Sequence, residues 1–253
     1  MTLDACAQLV ERGDPDRFLT ARGPGAERLL PLYAFNLEIA RAPWVTQEPM
    51  IAEMRLTWWH EALDEIASGT PPRAHEVVAP LADVLRDTGM DPAPLHAMID
   101  ARRMDLERAP FATADDLWAY LEATSGGLMW AAAQALGAPG TARAAVVEFG
   151  TGTGLALWFR AVPKLVALGR APLPEGAEIA ALAREGLDRL ARARARRTTV
   201  PPAALPAMLA GWEASGLLTR AAADPSRVIE NGLERAEFRR RAGLAARAVS
   251  GRW

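Results

Sequence analysis

Apolar side chains in this chain recur every three or four residues and no alternating strand pattern persists, which restricts the fold to packed helices. Leu29, Leu32, Tyr33, Phe35, Ile39 and Ala40 keep that spacing until Pro43 closes the stretch. A second helix is predicted from Pro49 through Met54, Trp58, Ala62 and Ile66 to Gly69, a residue suited to a helix stop. The same spacing predicts helices over roughly 74–88, 92–107, 114–136, 144–168, 176–196, 202–214 and 226–248. Thr113 with Asp116 three residues on reads as a helix-opening cap. The stretches "GTPP", "GAPG", "APLPEG" and "TTVPPAALP" are rigid breaks rather than flexible tethers. With half of the residues apolar, one large core can be buried, and a single all-α domain over 1–253 is expected.

Composition removes several classes of function. Cys6 is the one cysteine, so no internal disulfide forms and a reducing compartment is expected. No apolar run approaches the ~18 residues of a membrane span and no hydrophobic signal core opens the chain, which points to the cytoplasm. Lys164 is the sole lysine, which disfavours Schiff-base chemistry and phosphate-binding loops. Residues 1–188 carry 16 basic against 26 acidic side chains, whereas residues 189–253 carry 13 against 5. The basic runs "RLARARARR" (189–197) and "RRRAGLAAR" (239–247) therefore either pack on the acidic body or meet an anionic partner: a protein face or lipid headgroups at the inner face of the membrane. Nucleic acid is not expected, because Phe238, just ahead of the second run, is the only aromatic residue beside these charges.

Three stretches, in order, resemble the squalene/phytoene synthase family over about residues 14–175. They are "LYAFNLEIARAPW" (32–44), "MIDARRMDL" with "YLEATSGGLM", and "LWFRAVPKLVALGRAPLP". The resemblance implies an isoprenoid (terpenoid) synthase-like helical fold. It also implies head-to-head joining of two prenyl diphosphates, in which Mg²⁺ held by carboxylates neutralises the departing diphosphate. Carboxylates at i and i+4 share a helix face, so two such helices can trap the ions above an apolar tunnel. Matched to the family's pattern, the first aspartate pair falls on Ala40 and Trp44 and the second on Ala161 and Leu165. Tyr33, Asn36, Glu38, Tyr120, Arg160 and Arg170 remain as pocket candidates. A Glu38–Arg160 ion pair is expected where metal and diphosphate would sit.

A subgroup of that family, the mitochondrial complex I assembly factors and their bacterial relatives, is similar in the residues it keeps: Ala34, Phe35, Asn36, Glu38 and Ala40, then Arg160, Ala161 and Pro163, then Leu173 and Pro174. The resemblance implies a non-catalytic assembly or interaction factor without a cofactor, with a complex I subunit or assembly intermediate as partner and an apolar or prenyl ligand in what remains of the tunnel. The alternative it implies is a working synthase that uses Mg²⁺.

Other signals have plainer readings. Arg55, Trp58 and Trp59 are candidates for a partner-facing surface; adjacent helical residues point about 100° apart, so one tryptophan enters the core and one meets the rim. "GTGTG" (150–154) is expected to allow close helix contact rather than to bind nucleotide. His60, His75 and His96 lie too far apart for a local zinc motif, and no metal site is expected. The acid pairs Glu61/Glu65, Asp83/Asp87 and Glu230/Glu234 are read as solvated helix faces.

Overall fold

The computed structural model of the protein describes residues 3–44, 48–107, 111–234 and 236–253. Fourteen α-helices and no strand occur among them: α1 (Leu3–Gly13), α2 (Pro15–Thr20), α3 (Ala26–Arg41), α4 (Pro49–Ala67), α5 (Val78–Thr88), α6 (Ala93–Arg102), α7 (Ala114–Leu121), α8 (Gly127–Ala135), α9 (Arg143–Ala167), α10 (Ile179–Ala195), α11 (Leu205–Leu209), α12 (Ala214–Ala223), α13 (Ser226–Ile229) and α14 (Glu237–Ser250).

Two helices form the centre, and their sequences say why. In α3 every residue from Leu29 to Asn36 is buried, and in α9 every residue from Phe149 to Ala156 is buried. Helices enclosed on all sides carry no polar face. α3 packs on α1, α5 and α8, while α9 packs on α8, α10 and α12, so that one continuous core joins them. The glycines of "GTGTG" set the closeness of α9 to its neighbours. A Cβ on Gly150 would lie 2.8 Å from Gly126 Cα, and one on Gly152 would lie 3.1 Å from Gly186 O.

Local chemistry sets the helix ends. Thr113 Oγ1 accepts from Asp116 N–H at 3.2 Å while Asp116 Oδ2 accepts from Thr113 N–H at 2.9 Å, the reciprocal cap predicted from sequence. Gly69 and Gly89 adopt positive φ just past α4 and α5. The predicted 114–136 helix holds one irregularity: residues 122–126 widen into a π turn between α7 and α8.

Elsewhere the chain departs from its predicted layout. α1 and α2 precede the first predicted helix, and α12 fills the gap expected between 214 and 226. Leu217, Leu218 and Ala221 bury the inner face of α12, so packing overrides the weak Ala-Ser-Gly start. The helix expected over 226–248 is two helices, because Asn231 takes a left-handed conformation (φ 59°) before Gly232. Arg235 lies outside the described residues. Glu230 and Glu234 therefore share no helix face, although both are exposed. Glu61 and Glu65 are also not simply solvated. They grip Arg73 at 2.9 and 2.7 Å and hold the loop after α4 against that helix.

The basic C-terminal part meets the acidic body at several points. Arg192 pairs with Glu148 at 2.7 Å, and Arg240 pairs with Asp16 and Glu213 at 2.5 and 2.8 Å. Among the described residues, no helix is long and apolar enough to cross a membrane.

Candidate functional site

A cavity of about 390 Å³ opens where the 3₁₀ turn 42–44, the turn 103–106, the C-terminal end of α9 and the segment 170–172 converge. Trp44, Met104, Phe111, Trp158 and Leu165 supply apolar walls; Arg103, Asp105, Glu107 and Arg170 supply charge. Behind the wall, the rings of Phe111, Tyr120 and Trp158 meet pairwise with centroids 5.3–5.9 Å apart. Trp158 Nε1–H donates to Pro172 O at 2.7 Å and ties α9 to the segment that follows it.

The polar groups are engaged with one another. Arg102 donates to the Tyr120 hydroxyl, which donates to Asp105 Oδ2 at 2.9 Å; Arg102 also pairs with Asp105 at 3.2 Å. Burial pushes the Tyr120 phenol far above its ordinary range, so it stays a neutral donor. Arg103 bridges to Glu53 of α4 at 2.9 Å and to Asp100. The Arg170 guanidinium lies 4.7 Å from the Trp44 ring centroid and donates to the main-chain oxygen of Glu107.

Of the four positions expected to replace carboxylates, Trp44 and Leu165 both line this cavity, while Ala40 and Ala161 are half-buried and do not line it. Of the pocket candidates, Arg170 lines the cavity and Tyr120 backs its wall. Tyr33, Asn36, Glu38 and Arg160 lie elsewhere. The expected Glu38–Arg160 pair does not form: Arg160 pairs with Asp16 of α2 at 2.9 Å and Glu213 at 3.5 Å, beside Arg240 from α14. Periodicity places Glu38 and Arg160 on their own helices but cannot tell which distant acid reaches Arg160 first. Asn36 and Tyr33 are buried in the body of α3.

Tyr33 is buried with its hydroxyl unpartnered among the described residues, and burial raises its phenol to about 12. An unfolded tyrosine ionises near 10. The native state therefore holds the proton more tightly between about 10 and 12, and stability falls as pH rises through that window. Cys6, raised by burial and by Glu76 to about 11, acts in the same direction from about 9 upward. Tyr33→Phe is expected to be neutral or stabilising by up to ~1 kcal/mol at pH 7, since it removes an unmade hydrogen bond, and to flatten the alkaline fall. Urea midpoints measured from pH 7 to 11 test both; a loss above ~1 kcal/mol at pH 7 would reveal a partner for the hydroxyl.

Trp59 is buried and Trp58 half-buried, as their angular separation requires. Trp58 is covered by Arg73, 5.1 Å from its ring, and touches His75, so of the expected interface trio only Arg55 is freely exposed. Other apolar side chains are exposed: Met50, Ile51 and Met54 on the first turns of α4, a helix that packs beside the turns 42–44 and 103–106, and Val166 and Leu168 at the end of α9. Sequence reasoning misses these residues, because an exposed methionine at a helical position looks the same as a buried one. It also misses Asp105 with Arg102, and the meeting of His60 with His96. The i,i+4 spacing of His60 and Asp64 is the available signal for the latter.

The family profile described as Squalene/phytoene synthase matches residues 18–209. Among solved structures, the chain is similar to a dehydrosqualene synthase in complex with ligand (TM-score 0.81, 15% identity, 98% of this chain and 95% of that one). It is also similar to the squalene synthase HpnC from Alicyclobacillus acidocaldarius (TM-score 0.72, 15% identity, 88% and 94%). At such identities these structures establish a shared fold. Curated relatives are the proteins named NADH dehydrogenase (ubiquinone) complex I, assembly factor 6, from Bos taurus (28% identical) and Mus musculus (27%), each over 163 residues, 62% of this chain. The chain spans about half the length (48%) of these relatives. With a profile match over most of its length and a helical core arranged as in the synthases, the chain belongs to the squalene/phytoene synthase family.

Proposed function

We propose that this chain is a non-catalytic assembly or interaction factor of the respiratory complex I kind, acting in the cytoplasm and peripherally at the inner face of the cytoplasmic membrane. One observation carries the reading: the chemistry of the cavity does not fit a magnesium-bound diphosphate. Such a ligand needs several hard oxygen donors converging on the ions. Trp44 and Leu165 offer none, the Asp105 carboxylate is taken up by Arg102 and Tyr120, and Glu107 is the one other carboxylate that lines the cavity among the described residues. Without the metal the dominant electrostatic stabilisation of the leaving group is missing. The names of the mammalian relatives support the complex I association, and the exposed Met50, Ile51 and Met54 on the first turns of α4 suit a protein or lipid surface. An apolar or prenyl ligand suits the aromatic walls, since about 390 Å³ is within the range of small-molecule sites.

The second reading, head-to-head prenyl transfer, draws support only from the apolar walls of that cavity, which suit a prenyl chain, and a two-armed experiment separates the two. Incubation with farnesyl or geranylgeranyl diphosphate and Mg²⁺, followed by organic extraction, is expected to yield no C30 or C40 hydrocarbon. In cells lacking the chain, the amount of assembled NADH dehydrogenase is expected to fall severalfold. A metal-dependent hydrocarbon product would overturn the non-catalytic reading, and unchanged assembly would remove the complex I role.

A further inference from the structure

The fold brings two of the three histidines together on a face that the cavity does not use. His60 and Asp64 stand one turn apart on α4, and His96 of α6 reaches the same carboxylate. His60 Nδ1 is 3.3 Å from Asp64 Oδ2, His96 Nε2 is 3.4 Å from Asp64 Oδ1, and the two imidazole centroids are 4.3 Å apart. The three ligand atoms all lie within 4.8 Å of one another, the one such grouping among the described residues. We propose that His60, Asp64 and His96 form a surface zinc site that fastens α4 to α6.

The three groups lie within reach of one ion and are not joined by short hydrogen bonds. At 3.3–3.4 Å both contacts are long for hydrogen bonds to a carboxylate, which centre nearer 2.8 Å. The two contacts run to different oxygens of Asp64, and a tetrahedral ion with Zn–N and Zn–O bonds of about 2.0–2.2 Å, whose ligand atoms stand about 3.3–3.5 Å apart, needs only a small side-chain rotation that turns one oxygen toward both imidazoles. Two imidazoles and one carboxylate are a recurrent zinc donor set that leaves a fourth position for water. Here the Asp64 side chain is 63% exposed, so that position faces solvent. The local field favours a dication, because Asp64, Asp91 and Asp100 all act on His96. Late first-row dications bind such nitrogen and oxygen donors more tightly than magnesium does, which separates this site from the family's diphosphate chemistry.

One feature limits the affinity. With zinc on Nε2, the proton of His96 sits on Nδ1, which is buried without an acceptor among the described residues. Metal-bound imidazoles ordinarily donate that proton, and losing the partner weakens binding about 10–100-fold. Micromolar binding is therefore expected rather than the nanomolar binding of a closed structural site.

Competition of the full chain against a chromophoric zinc chelator, with thermal unfolding in parallel, tests the assignment. The expected result is one zinc per chain and a rise of roughly 5–10 °C in unfolding midpoint at a hundredfold excess over Kd. His60→Ala, whose side chain is 36% exposed, and Asp64→Asn should each weaken binding at least about tenfold while preserving the helical circular dichroism. His75→Gln should bind as the parent does. Cobalt should give the intense visible bands of a four-coordinate ion in the parent and lose them in His96→Ala. No zinc uptake up to about 100 μM, or uptake that His60→Ala and Asp64→Asn leave intact, overturns the proposal.

Discussion

Gly150→Ala is expected to cost about 2 kcal/mol and to lower the thermal unfolding midpoint by roughly 4–8 °C, although alanine is the better helix former. The propensity gain in mid-helix is at most ~1 kcal/mol. Against it stands a methyl group with nowhere to go: it would lie 2.8 Å from Gly126 Cα, 3.0 Å from Ser125 O and 3.0 Å from Met129 Cβ. Two of those three atoms are backbone, so a rotamer change cannot relieve the clash. α9 must move off the 122–126 turn, and overpacking of this kind costs about 1–3 kcal/mol, here at the upper end. Gly140 is the control. It sits in an open 3₁₀ turn with nothing within 4 Å of an added methyl and no positive φ, so Gly140→Ala should stay within ~0.5 kcal/mol of the parent. Scanning calorimetry of the two variants decides the matter, and equal midpoints would show that the α9 contact is not the tight one.

Those glycines also show how far the sequence reaches. Phe149 to Ala156 can be read as buried because small and apolar residues run through more than a full turn, and the pattern of α3 is legible in the same way. The cap at Thr113 is legible because both of its bonds are local. What periodicity lacks is the identity of the element opposite. Arg160, expected to meet Glu38 on a facing helix, instead meets Asp16 and Glu213. His60 and Asp64 advertise a shared face by their spacing, yet nothing in α4 announces that α6 will bring His96 to it. Trp44 and Leu165 are identified by resemblance, and their convergence on one cavity depends on how α9 and the 42–44 turn pack. Exposed Met50 and Met54 are hidden for the complementary reason: helical spacing marks a face, not whether anything covers it.

Asp105 carries the heaviest single expectation. Its carboxylate is only 10% exposed, accepts from the Tyr120 hydroxyl and pairs with Arg102, itself 16% exposed, just behind the aromatic wall of the cavity. Asp105→Ala leaves a largely buried guanidinium and a phenol without their acceptor. Breaking one side of a buried pair costs about 3–5 kcal/mol; taking the lower end because the pair retains some solvent contact, the midpoint should fall by roughly 6–12 °C. Tryptophan fluorescence should shift as well, since Tyr120 packs on Trp158 at 5.3 Å. If the cost arises from stranded polarity rather than lost packing, removing the whole network must repair it. Arg102→Met, Asp105→Leu and Tyr120→Phe together should restore stability to within about 1 kcal/mol of the parent, because an apolar replacement of a buried charge cluster requires no desolvation. A triple variant as unstable as Asp105→Ala would mean instead that the carboxylate organises the 103–106 turn directly, and that the cavity wall depends on its geometry rather than its charge.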